Sequence, residues 1–227
     1  MNINAVIFDF DGTLVDSEEN YYLADKKLLL KYGIKFTQAM KKEFIGTGNY
    51  EMMKKIRLKY GIDKSAEELT QEKNDIYLKI ALNNTKVYPK MLDFLKGVIE
   101  LKYKVAVASG SSPNILKELL SSTGLAKYFE IVVSSEDAPK GKPAPDIFLE
   151  AAKRLKVDPS KCCAVEDSKY GVISAKSAGM LCISVPYLTT QPLDPNFEKS
   201  DLLFRKGMKE FDPEKALFWL KNYPISP

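Results

Sequence analysis

Four consecutive apolar positions, 5–8, stop abruptly at Asp9-Phe10-Asp11-Gly12-Thr13. Similar short runs recur at 105–108, 131–133, 162–165 and 181–183. Each is apolar at successive positions rather than at alternate ones, the pattern of a strand covered on both faces in a parallel sheet. Helical periodicity fills the intervals at 113–122, 145–155 and 170–178. Strand, helix, strand at this rhythm predicts a doubly wound α/β domain.

The rhythm fails between residues 18 and 82. There Leu, Met, Ile and Tyr fall at helical spacing among many Lys and Glu, with breaks near Gly33, Gly46-Thr47-Gly48 and Gly61-Ile62-Asp63. This stretch predicts a small helical bundle inserted after the first strand. The division is residues 1–16 and 87–227 for the α/β core and 17–86 for the insertion. Beyond Pro186 the chain is punctuated by proline, and only a closing helix at 213–221, with Pro in its first turn, stands out.

Composition narrows the chemistry more than the fold. A 227-residue chain that is 45% hydrophobic and 28% charged can bury a substantial core. Net charge is +4, and the basic excess lies wholly in residues 17–86, where 14 Lys and Arg face 10 Asp and Glu. Scattered among helical positions, these read as solvated helix faces and not as a nucleic-acid surface. Cys162, Cys163 and Cys182 are an odd count inside apolar runs, which suits a reduced, cytoplasmic setting. Neither a signal peptide nor an apolar stretch of ~18 residues is expected, so no membrane partner is. The chain contains no histidine. That excludes Ser-His catalysis, imidazole acid–base work and His-ligated metals, and leaves carboxylates, lysines and hydroxyls.

Ligands of a parallel α/β sheet bind where strands end at their carboxyl side. After the predicted strands come Asp9, Asp11 and Gly12, then Ser109-Gly110-Ser111, then Lys140-Gly141-Lys142-Pro143, then Glu166-Asp167-Ser168. Four acids, a lysine and a hydroxyl at one sheet edge suit phosphoryl transfer, which needs a nucleophile, an acid for the leaving oxygen and positive charge around the equatorial oxygens. Asp9 can attack without prior deprotonation, and Asp11 can protonate the leaving alkoxide and then activate water. Acids aimed at a phosphate repel it unless a hard cation such as Mg²⁺ intervenes. Asp9, the backbone carbonyl of Asp11 and Asp167 are its candidate ligands, with Glu166 in support or holding neighbouring groups in place. Lys142, Ser109 and the Gly110 turn are candidates for phosphate contact, and Gly12 lets the backbone turn tightly. Ser109 has an alternative role as a helix cap, since Pro113 follows at a helix start.

Taken in order, Asp9-Phe-Asp11-Gly-Thr13, Ser109, Lys142-Pro-Ala-Pro and Glu166-Asp167-Ser168 resemble the four motifs of the haloacid dehalogenase superfamily. The stretches GKPAPDIFLEAAKRL and AVEDSKYGVISAKSAGM resemble its β-phosphoglucomutase-like branch. The resemblance implies a Rossmann-like core, a helical cap that closes over a small phosphate ester, an Asp9 nucleophile, an Asp11 acid/base and a metal site at Asp167. It also favours Lys142 over Lys140. Gly46, Thr47 and Asn49 are candidate cap contacts to substrate, with an ordinary interhelical loop as the alternative.

Departures from the branch favour a phosphatase over a phosphosugar mutase, and a cap that must move favours a monomer. Where the mutases carry a histidine early in the cap, this chain reads Glu19-Asn20-Tyr21-Tyr22. Asn49 stands at the place of their cap-loop arginine and Ser112 at the place of a lysine after the second motif. A mutase needs such cations to hold a second phosphate. A dehalogenase would leave Asp11 and Asp167 without a task, a phospho-acceptor signalling domain would lack the insertion, and a silent binding protein would not need the intact acids and lysine.

Overall fold

The structure, a computed structural model, describes residues 3–44 and 48–223. In chain order the elements are β1 (Ala5–Phe8), β2 (Val15–Asp16), α1 (Glu18–Leu30), α2 (Gln38–Glu43), α3 (Asn49–Tyr60) and α4 (Ala66–Asn84). They continue with β3 (Lys86–Val87), α5 (Pro89–Glu100), β4 (Lys104–Ala108), α6 (Pro113–Ser122), β5 (Ile131–Val133) and α7 (Asp146–Leu155). The last are β6 (Cys162–Glu166), α8 (Lys169–Ser177), β7 (Leu181–Ser184), β8 (Leu202–Leu203) and α9 (Pro213–Asn222). Two compact units result, residues 1–16 with 86–227 and residues 17–85. Lys86 falls in the first because it pairs with Asp16 across the antiparallel β2–β3 ribbon.

The first unit is built on a six-stranded sheet in the order β5-β4-β1-β6-β7-β8, with every neighbouring pair parallel. Successive residues of β1 serve opposite faces, as strand pleating requires. Ala5 and Ile7 join Ala106, Ala108, Cys162 and Ala164 beneath α7 and α8, which contribute Phe148, Ala152, Val172 and Ala175. Phe8 projects to the other face, edge-on to Phe94 at 5.9 Å and Phe129 at 6.0 Å. Phe94 in turn packs on Phe211, and Phe211 on Phe204. Strands covered on both faces explain the unbroken apolar runs. Helix α5 escapes the strand–helix rhythm of the sequence but carries its own signal, Pro89 in the first turn followed by buried Met91, Phe94, Leu95 and Val98 at helical spacing. The short β8 extends the sheet in the proline-punctuated tail.

The second unit holds α1 to α4. Ser65 and Glu68 form a reciprocal capping box that starts α4. Tyr21 of α1 stacks on Tyr77 of α4 at 4.0 Å, and Tyr22 packs near Phe36 at 5.9 Å. Within this unit Lys73 is 2% exposed and Asp25 3%, with the Nζ atom 2.6 Å from the carboxylate. The reading of the basic positions as solvated faces therefore fails at Lys73. No helix among the described residues is long and apolar enough to cross a membrane.

Candidate active site

Strand β1 delivers Asp9 to the carboxyl edge of the sheet, where its backbone N–H donates to Val165 O at 3.0 Å. The chain then turns within a few residues, closed by Leu14 N–H to Phe10 O and Gly12 N–H to Val15 O. Gly12 sits at φ +80°, and a Cβ there would lie 2.3 Å from an Asp167 carboxylate oxygen. Glycine at this position meets two demands together, the left-handed backbone and the close approach of an acid.

Asp9, Glu166 and Asp167 bring carboxylate oxygens within 4.8 Å of one another. They are only 6%, 0% and 9% exposed. Lys142, on the loop after β5, donates to Asp9 Oδ1 at 2.5 Å, to Glu166 Oε1 at 2.5 Å and to Ala108 O at 3.2 Å. Its ammonium lies 4.9 Å from the centre of the Phe148 ring. Burial works against the Lys142 charge, but the carboxylates of Asp9 and Glu166 outweigh it and hold the lysine protonated. Burial also pushes the Asp9 carboxyl up, opposed by Lys142 and reinforced by Glu166 and Asp11. Asp9 and Glu166 share the Lys142 ammonium and Asp167 stands beside them, a grouping of carboxylate oxygens of the kind that suits a hard cation.

Glu166 is held from both ends. Lys142 engages Oε1, while Oε2 accepts from the N–H groups of Asp167 and Ser168 at 3.1 Å and from the Ser168 hydroxyl at 3.0 Å. Ser168 Oγ also accepts from Gly171 N–H at 3.0 Å, capping α8. A Cβ on Gly171 would lie 1.8 Å from the Glu166 carboxyl carbon. Gly171→Ala is therefore expected to displace Glu166 and loosen Lys142, although alanine in a helix interior is favoured by about 1 kcal/mol. Misplacement of this kind should lower kcat by about a hundredfold. Thermal melts and initial rates of the variant check both effects, and an unchanged rate would show that Glu166 tolerates the shift.

Ser109 follows β4, is fully buried, and its N–H donates to Val133 O. Its hydroxyl accepts from Ser111 N–H at 3.1 Å and stands 3.5 Å from Asp11 Oδ2. Ser111 Oγ bonds the same carboxylate oxygen at 2.6 Å. Ser112, not Ser109, occupies the N-cap position of α6. Gly110 is exposed, with open space around a hypothetical Cβ, and Lys140 is exposed as well. Of the expected set, Asp9, Asp11, Ser109, Lys142, Glu166 and Asp167 converge in this unit. Gly46 and Thr47 lie outside the described residues. Asn49 opens α3, where its Oδ1 accepts from Lys73 Nζ at 2.9 Å. Sequence reasoning named Ser111 and Ser168 at the strand ends but gave neither of them, nor Gly171, a role of its own. Gly171 had a signal, a glycine inside a helical pattern, where alanine would be the better helix former.

The chain matches the family described as haloacid dehalogenase-like hydrolase over residues 6–185. It is 31% identical to a phosphorylated carbohydrates phosphatase of Thermotoga maritima, covering 78% of this chain and 82% of that protein. It is 33% identical to a beta-phosphoglucomutase of Bacillus subtilis, covering 81% and 83% respectively. A solved hydrolase of the same superfamily, family IA variant 3, from Entamoeba histolytica aligns with a TM-score of 0.83 at 25% identity, covering 98% of this chain and all of that one.

Proposed function

This chain belongs to the haloacid dehalogenase-like hydrolases, and on that premise we propose that it is a Mg²⁺-dependent phosphatase acting on a small sugar phosphate through an aspartyl-phosphate on Asp9. The observation that carries the reading is Lys142 bridging Asp9 and Glu166 beside Asp167. In the first step an Asp9 oxygen forms a bond to phosphorus while the bond from phosphorus to the ester oxygen breaks, and Asp11 gives its proton to the departing alkoxide. Water then attacks phosphorus, Asp11 takes back a proton, and the Asp9–phosphorus bond breaks. Lys142 keeps the Asp9 carboxylate oriented and offsets charge on the phosphoryl oxygens, while Ser109 donates to one of them.

The buried acids fit a divalent cation. Asp9, Asp167 and the backbone carbonyl of Asp11 would hold it, with Glu166 beside them. When bound, Mg²⁺ supplies charge neutralisation at the nucleophile and the phosphoryl oxygens.

Phosphatase is favoured over mutase by the places where a second phosphate would need cations. Tyr21 is stacked on Tyr77, Asn49 accepts from Lys73, and Ser112 stands at the N-cap position of α6 with no side-chain capping bond. Lys73, a buried cation of the helical unit, is already paired with Asp25. The test is a panel of phosphorylated sugars and related small esters, assayed for released phosphate with Mg²⁺ and again with EDTA. Phosphate release that EDTA abolishes is expected. Efficient bisphosphate-dependent isomerisation of glucose 1-phosphate would overturn the hydrolytic reading.

A further inference from the structure

Of the two serines flanking Gly110, Ser109 is the expected phosphate contact and stands 3.5 Å from Asp11 Oδ2, while Ser111 lies closer to the same oxygen. We propose that Ser111 is a positioning residue that holds the Asp11 carboxyl in line for its two proton transfers, a role that rests on the phosphatase reading above. The contact is Ser111 Oγ to Asp11 Oδ2 at 2.6 Å, in the range of a hydroxyl paired with a carboxylate. It joins residues 100 positions apart in the chain.

The hydroxyl is mounted on a fixed frame. Ser111 is 6% exposed. Its N–H is spent on Ser109 Oγ at 3.1 Å, and its carbonyl accepts from Ser135 N–H at 3.0 Å. Helix α6 begins two residues later at Pro113. On the other side, the Asp11 backbone belongs to the tight turn closed by Gly12 N–H to Val15 O. Two anchored backbones therefore leave the Asp11 side-chain torsions as the main freedom, and of the two serine hydroxyls on Oδ2 the shorter contact, that of Ser111, restricts it more. A hydroxyl can donate to an ionised carboxylate and accept from a protonated one.

Leaving-group chemistry separates this role from a structural one. An alkoxide needs a proton as it departs, whereas the weakly basic p-nitrophenolate does not. Single-turnover phosphorylation of the enzyme is measured with a sugar phosphate and with p-nitrophenyl phosphate, the latter as a nitrophenolate burst. Ser111→Ala should slow phosphorylation by the sugar phosphate by about a hundredfold, the scale of general acid catalysis. Its nitrophenolate burst rate should change by less than about threefold. Ser111→Thr keeps the hydroxyl and should restore most of the loss. Equal losses on both substrates, or a raised KM with an unchanged single-turnover rate, would overturn the role and make Ser111 a packing or phosphate-contact residue. A wild type that releases phosphate from neither substrate overturns the phosphatase reading itself, a failure visible before any variant is compared.

Discussion

Asp9→Asn lowers kcat by a factor on the order of 10⁴ or more and leaves the fold in place. Asparagine has nearly the shape of aspartate but no charge, and it cannot accept a phosphoryl group to form an acyl phosphate. The folded protein tolerates the change because Lys142 retains Glu166 as a carboxylate partner 2.5 Å away. Burial, the main cause that pushes the Asp9 carboxyl up, carries no such penalty for a neutral amide. The measurement is twofold. Acid quenching during turnover of a radiolabelled sugar phosphate should trap a hydroxylamine-sensitive phosphoenzyme in the wild type and none in the variant. Circular dichroism should overlay for the two proteins. Residual turnover near a tenth of wild type, with no label lost, would move the nucleophile away from Asp9.

The second large effect is on stability and arises in the helical unit. Asp25→Ala leaves the Lys73 ammonium buried without its counter-charge, which should cost about 3–5 kcal/mol. For a chain of this length that corresponds to a fall in Tm of roughly 10 °C. The cost is large because both side chains are nearly inaccessible. Burial itself pushes the Asp25 carboxyl up, and the Lys73 charge draws it back. What remains around the ammonium is one amide oxygen from Asn49, the sulfur of Met52 at 3.9 Å and the ring of Tyr21 at 5.6 Å. None of these supplies a full negative charge. The double variant Asp25→Leu with Lys73→Met should recover most of the loss, since an apolar pair needs no desolvation of charge. Thermal and urea denaturation of the single and double variants decide it. A single variant losing under about 1 kcal/mol would mean that water reaches the lysine.

The fold was largely legible because burial on two faces leaves a mark that local reading can detect. The runs at 5–8, 131–133 and 162–165 correspond to β1, β5 and β6, and the break in rhythm marks the helical unit. Where the reading stopped, the signal was short or mixed. The two-residue strands β2, β3 and β8 are too brief for any periodicity, and they exist because a neighbouring strand offers them partners. The candidate chemistry was legible for a different reason. A parallel sheet puts the ends of its strands on one edge, so acids following apolar runs can be placed together without coordinates.

Chain order and residue type alone determined the class of fold, the excluded chemistries and the identity of most groups at the sheet edge. A lack of histidine and the succession of Asp9, Asp11, Ser109, Lys142 and Asp167 are properties of the sequence. Tertiary structure alone decided which partner each polar group takes. Nothing local distinguishes Lys73 from the solvated lysines around it, or Ser111 from a loop serine, because the atoms that define them lie 48 and 100 positions away. Gly171 is required because the fold brings the Glu166 side chain against its Cα. Hydrophobic pattern is a one-dimensional record of burial, whereas charge pairing and steric room depend on three-dimensional proximity, which appears only once the sheet and helices have assembled.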